Sequence, residues 1–395
     1  MAATTPVPVN SALIEWARRE SGYSVEAVAR RVGVKPARLE AWEAGERQPT
    51  ARQVGLLARA LHRPLSVFYL PRPPRVPELA RQYRRLPGVA PGEEPPELRL
   101  ALRRMLARRE DWLNLAGELG WEAADFRLRA HLQEEPRAVG TRLRTALGVD
   151  SDMQRGWPNA WRAWAGWREA AEQAGALVFV FSGVGLEEAR GLALPQAVRP
   201  VAAVNSKEGP ESKSYTMLHE LVHLMLAAAR EEAPAMEEKR SAPEWSRVER
   251  FAEVAASHAL VEEDALRAAA GAAGRVAHWD IQGVQRLARG FRVSPLAMAT
   301  RLRESGYMDW AGYGRWRRQW EAHVAALPPR AGGFATPAEK AVSRGGRSFA
   351  QLVLEALAAD RITSLDAARY LDLRFEHFGE LREVLAHSGG EGAGA

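Results

Sequence analysis

The 395-residue sequence contains no cysteine, which excludes disulfides, thiolate metal ligands and thiol nucleophiles. It has no apolar run near the eighteen or so residues that a membrane span requires. Its opening, MAATTPVPVN, shows no basic segment followed by an apolar one, so a secretory leader is not expected. The expected location is therefore the cytoplasm, with no membrane partner. Without thiols, any metal site must be built from His, Asp and Glu. Apolar residues at 46% and charged residues at 26% fit a globular chain with a sizeable core, and the length allows two or three domains.

Charge is unevenly placed. Residues 10–71 carry ten basic and six acidic side chains, and residues 72–109 carry ten arginines and four glutamates. The front of the chain is thus strongly basic, while the whole chain is only +6, so the remainder is slightly acidic. A basic front on an acidic body is expected to meet a polyanion.

Residues 10–71 show short amphipathic segments separated by turn signals. Leu13, Ile14 and Ala17 form one apolar stripe, and Val25, Val28, Ala29 and Val32 form a second behind Ser24 at the N-cap position. Gly33 breaks the chain, Leu39 and Trp42 head a third stripe, and Gly45 and Thr50 bound the next turn. Two short helices around a Gly-containing turn read as a helix-turn-helix. Residues 72–96, rich in Pro and Arg, read as a linker with little buried structure. A long helix is expected next. Trp157, Trp161, Trp164 and Trp167 then fall on one helical face and are expected in the core.

The period then changes. GALVFVFSG and RPVAAVNS, bounded by Gly, Pro and Asn, read as strands. They precede YTMLHELVHLML, residues 215–226, in which His219, Glu220 and His223 interrupt an otherwise apolar helix. Histidines four residues apart project from one helical face, and two imidazoles so placed can both reach a zinc ion. Glu220, beside them, is placed to take a proton from a water on that ion. A catalytic zinc needs a third protein ligand. The downstream helix EWSRVERFAEVAASHALVEEDAL offers Glu249 and Glu253 one turn apart, with His258 further on. Spacing alone does not choose among them. Tyr215, one turn before His219, is a candidate oxyanion donor.

Two stretches carry resemblances. VARRVGVKPARLEAWEAGERQPT resembles the XRE (lambda-repressor-like) DNA-binding domains. The resemblance implies that a helix over 35–44 enters the major groove, with Lys35 and Arg38 reading bases on a double-stranded operator. It also implies that Arg47 and the helix start at Ser24 hold phosphates. Val25 stands where many members carry Gln. The stretch from GALVFVFSG through HELVHLML is similar to the ImmA/IrrE metallopeptidase family. There ERFAE implies Glu249 as the third ligand, with Ala252 where Cys is common and Glu253, the second choice, where Asn is common. The same resemblance places Asn205 and its strand at the active-site edge, where a peptide would add as an extra strand.

The expected fold class is α+β and predominantly helical: an N-terminal helix-turn-helix bundle, a zincin-like domain with a small sheet, then C-terminal helices. The expected boundaries are 10–71 for the DNA-binding domain, 72–96 for the linker, 97–265 for the metallopeptidase domain, 266–385 for a C-terminal helical region and 386–395 for a disordered tail. The C-terminal helices echo the helix-turn-helix pattern and are expected to serve packing or homodimer formation. PPRAGGFATP, near 327–338, reads as a loop. The resemblances imply a fused regulator whose zinc-dependent endopeptidase cleaves a repressor-type protein in a stress or mobile-element response. The alternatives are a transcription factor whose zinc domain only senses a ligand or partner, and an antitoxin-like DNA-binding partner.

Overall fold

The computed structural model describes residues 6–84, 86, 88–122, 125–272, 279–327 and 335–387. The expected tail lies outside the described residues from 388 onward, as does the expected loop over 328–334.

The N-terminal bundle comprises α1 (Ser11–Glu20), α2 (Val25–Val32), α3 (Pro36–Glu43) and α4 (Ala51–Ala60). Local chemistry sets its punctuation. Asn10, Ser24 and Thr50 each accept a hydrogen bond from a first-turn amide, and the Thr50 amide donates to the Gln53 side-chain oxygen. Gly33 ends α2 in the left-handed region at φ 76°, where a side chain would be strained. Ile14, Val28, Leu39, Val54, Leu57 and Phe68 close one core around the fully buried Trp42. The helix expected over 35–44 is one residue shorter at each end, because Lys35 is its N-cap and Ala44 its C-cap.

The body begins with α5 (Pro96–Glu118), α6 (Pro136–Ala146), α7 (Ser151–Gly156) and α8 (Ala160–Gln173). A sheet of β1 (Leu177–Phe181), β2 (Gly191–Leu194) and β3 (Val201–Asn205) follows, then α9 (Pro210–Ala228), α10 (Ala242–Leu260) and α11 (Glu263–Ala272). The chain continues through α12 (Ile281–Gly290), α13 (Pro295–Glu304), α14 (Trp310–Ala325), α15 (Pro337–Gly345), α16 (Arg347–Ala358), α17 (Ser364–Leu371) and α18 (Phe378–His387). No helix among the described residues is long and apolar enough to cross a membrane.

The strand order is β1–β3–β2, with β1 parallel and β2 antiparallel to β3. Every strand residue is buried, and alternation divides them between two cores. Val178, Val180, Ala193, Ala202 and Val204 face α9, α10 and the helices behind them, while Leu177, Phe179, Phe181, Leu192 and Ala203 face α5 and the C-terminal helices. The first core runs on through Val284, Met298 and Trp316, so α12–α14 pack with the helices of the expected 97–265 domain rather than apart from them.

Four expectations change. Residues 72–96 are not a loose linker: Ala80, Tyr83, Arg84, Leu86 and Glu94 are all buried. Arginines 84 and 109 in the basic stretch likewise turn inward, so they are not available to a polyanion. The tryptophans do not share one face, since Trp157 precedes α8 and Trp161 is 58% exposed beneath Lys213. Finally, β3 is the central strand, so no peptide can add to it. Asn205 is buried and structural, donating to the carbonyls of Val184 and Ala189. The edge strands are β1 and β2, and β2, the one beside Glu220, has four residues, GLAL, too short a run to stand out in sequence.

Candidate metal centre

Helix α9 starts with Pro210 behind Gly209, a favourable first-turn placement. Leu218, Leu221, Val222 and Met225 anchor it in the core. That packing points His219 and His223 toward α10, whose start is fixed by a capping box between Ser241 and Glu244, and Glu220 toward β2. Two turns into α10, Glu249 meets them.

The donors form a small triangle. His219 Nε2 lies 3.1 Å from His223 Nε2, and Glu249 Oε2 lies 3.3 Å from the first and 3.8 Å from the second. Ligand atoms on a tetrahedral zinc with bonds of about 2.0–2.1 Å sit about 3.3 Å apart. Two imidazoles and one carboxylate, with no fourth protein donor in the group among the described residues, also match the ligand set that leaves a position open for chemistry. These residues fit a divalent metal ion, and no other such group occurs among the described residues.

Two residues that sequence reasoning missed complete the site. Glu232 is buried and lies 2.9 and 3.0 Å from His223 Nδ1 through its two oxygens. It fixes the ring so that Nε2 faces the triangle. Burial pushes the Glu232 carboxyl up to about 8 and, with the Arg84 charge, holds His223 well below its ordinary value. His219 has no such partner on Nδ1, which is buried and unbonded. Replacing Glu232 by Ala should therefore lower zinc affinity about 10–100-fold, with Gln losing less. Competition against a chromophoric chelator reads this out, and unchanged affinity in both variants would remove Glu232 from the site.

The second is Arg84, from the stretch read as linker. It is 4% exposed, and its Nε lies 3.3 Å from Glu220 Oε2 while its Nη1 lies 2.7 Å from Glu249 Oε1. Burial alone would raise Glu249, but the Arg84 charge and the His219 hydrogen bond hold it well below the usual carboxylate range. Glu220 packs against Gly191 at the start of β2, where a Cβ would come within 2.4 Å of its Oε1. No signal marked either residue: Glu232 follows another Glu after the helix end, and Arg84 is one arginine among ten.

The other expected residues fall as follows. Glu253 lies one turn beyond the triangle, half exposed, with Arg250 3.9 Å away. His258 is nine residues past Glu249, about 13 Å along the helix, where it is bonded to Arg301 at 3.1 Å. Burial and the Arg301 charge hold it down to about 3. Tyr215 stacks on His219 with ring centroids 6.3 Å apart, and burial keeps its phenol protonated. In the N-terminal bundle, Ser24, Lys35, Arg38 and Arg47 are all exposed, with the Ser24 hydroxyl accepting from the Ala27 amide.

A His–Glu–His helix crossed by a second helix that supplies a carboxylate defines a metallopeptidase-type centre, here on a chain that opens with a helix-turn-helix. Comparison with protein families agrees. Residues 14–68 match the family described as Helix-turn-helix, and residues 171–303 match the one described as IrrE N-terminal-like domain. Together these matches fit a fusion of an XRE-type DNA-binding regulator with an ImmA/IrrE-family domain, as the two sequence resemblances imply. No curated protein matches the chain.

Proposed function

We propose that this protein is a DNA-binding regulator whose ImmA/IrrE-type domain hydrolyses a peptide bond in a repressor-type protein. The observation that supports this reading best is the donor triangle of His219, His223 and Glu249 with Glu220 on the same helical turn. In this reading the triangle holds zinc. When bound, the ion supplies Lewis acidity, acidifying water and polarising a carbonyl oxygen. Glu220 takes the proton from the attacking water and returns it to the departing amine. Tyr215, its phenol protonated, donates to the developing oxyanion. Glu232 keeps His223 in its binding orientation. The peptide lies along the side of β2 away from β3, next to Glu220.

The test begins with metal analysis of the purified chain. Incubation with zinc and repressors encoded nearby follows, with fragments read by mass spectrometry. Substoichiometric zinc after loading, or intact repressors throughout, would count against the proposal. A non-catalytic sensing module is the alternative. It draws support from the Arg84 ion pair to Glu220, which quiets the base as the protein stands.

The DNA-binding role assigns base reading to Lys35 and Arg38 at the exposed start of α3, with Arg47 and the α2 start on phosphates. Replacing both Lys35 and Arg38 by Ala should weaken binding to the cognate operator by about 1–3 kcal/mol per good base contact. Titration by fluorescence anisotropy at fixed salt measures it. Equal binding by variant and wild type would mean that α3 is not the reading helix.

A further inference from the structure

The segment before α5 does more than connect. Arg84 donates its backbone N–H to the Ala193 carbonyl of β2 at 3.1 Å, and the Gln196 side chain donates to the Gln82 carbonyl at 3.1 Å. On the other side Arg84 pairs with Pro234 in an antiparallel bridge, and the Ala235 amide donates to the Tyr83 carbonyl at 2.8 Å. Residues 82–84 thus lie strand-like against the one side of β2 that β3 leaves open. A peptide adding to that edge would need the same backbone groups.

The side chain of Arg84 completes the occupation. It reaches both Glu220 and Glu249. A Glu220 oxygen paired with a guanidinium is a weaker base toward water, and the other oxygen faces Gly191. Glu249 keeps Oε2 turned to the two histidines while Oε1 is held by Arg84, so metal ligation and the clamp are compatible.

The segment is also tied to the DNA-binding bundle. Tyr83 donates its hydroxyl to Glu94 Oε1 at 2.5 Å, and Glu94 Oε2 pairs with Arg99 at 3.0 Å. Arg99 in turn donates to the Arg19 carbonyl at 3.5 Å and packs on Gly22, in the turn between α1 and α2. Gly22 has φ 73°, and a Cβ there would come within 2.8 Å of the Arg99 side chain.

We propose that residues 82–84 are a built-in occupant of the peptide groove, that Arg84 clamps Glu220 and Glu249, and that movement of the helix-turn-helix bundle withdraws them through the Tyr83–Glu94–Arg99 tether. The proposal rests on the peptidase reading of that groove. It makes the site self-blocked until the bundle shifts. Coupling of this kind is carried by contiguous contacts, and the tether supplies them between the bundle and residues 82–84.

The test uses the full, zinc-loaded chain and a fluorescein-labelled synthetic peptide copying residues 78–90. Arg84→Gln removes both ion pairs, and Tyr83→Phe cuts only the tether. Anisotropy should show Arg84→Gln binding the peptide at least tenfold more tightly than wild type, with Tyr83→Phe shifted the same way by less. The amides of residues 82–84 should exchange faster in both. Casein cleavage by Arg84→Gln should rise at least tenfold, mainly through KM. Equal peptide binding by all three chains, or binding by none, overturns the proposal, as does a fall in kcat with KM unchanged. If Arg84→Gln does not fold, Tyr83→Phe carries the binding test alone. If no chain cleaves casein, the peptidase reading fails while peptide binding still decides whether the groove is occupied.

Discussion

Glu220→Gln is expected to keep a full complement of zinc and to lose peptide cleavage by about 10²–10⁴-fold, the range typical of general acid–base catalysis. The substitution preserves size and helical fit, and Glu220 is not one of the three donors in the triangle. Arg84 loses one of its two carboxylate partners but keeps Glu249 at 2.7 Å, so the buried charge stays paired. A thermal melt alongside the assay separates lost chemistry from lost folding. His219→Ala is the comparison, since it removes a donor and should empty or loosen the site. In cells the two variants divide the readings. A peptidase loses regulation with either substitution, whereas a sensor keeps it with Glu220→Gln and loses it with His219→Ala. Wild-type behaviour of Glu220→Gln against every repressor tested and in cells would end the catalytic reading.

The second large effect concerns the third donor. Glu249→Ala should lower zinc affinity by more than the about 100-fold upper range seen for residues that only orient a ligand. It removes the carboxylate 3.3 Å from His219 Nε2. It also leaves Arg84 buried with Glu220 as its paired carboxylate at the site, which adds a cost in stability because a buried charge that loses a partner is not resolvated. Glu253→Ala should leave zinc content near wild type, since that side chain lies half exposed one turn away beside Arg250. Elemental analysis after dialysis against a weak chelator ranks the two. The reverse ranking would mean that α10 turns a different face to α9 in the metal-bound protein.

Arg84 also changes how the basic front of the chain is understood. Taken as composition, residues 72–109 are an electrostatic footprint for a polyanion. In the folded chain Arg84 neutralises acidic groups of the metal centre, and Arg109 donates to the carbonyls of Val198 and Arg199. The basic side chains proposed to meet DNA are instead those of α3 and its flanks, Lys35, Arg38 and Arg47, all exposed.

What the sequence determined by itself was local. Caps and breakers at Asn10, Ser24, Gly33 and Thr50 bound the small helices through bonds that span two to five residues, and such bonds depend on little else. The four-residue spacing of His219 and His223 likewise puts both rings on one face of any helix that contains them, and they lie 3.1 Å apart at Nε2. Tertiary structure decided everything that required two distant segments to meet. Glu249 and Glu253 are equivalent in spacing, and only the crossing of α10 over α9 brings one of them to the histidines. That β3 is central rather than an edge depended on β2, four residues with no period of their own that are held by pairing to β3. Glu232 and Arg84 carry no local signal, because an isolated carboxylate or guanidinium reads as solvated. Burial against His223, Glu220 and Glu249 makes them part of the site, and burial is a property of packed surfaces rather than of neighbouring residues.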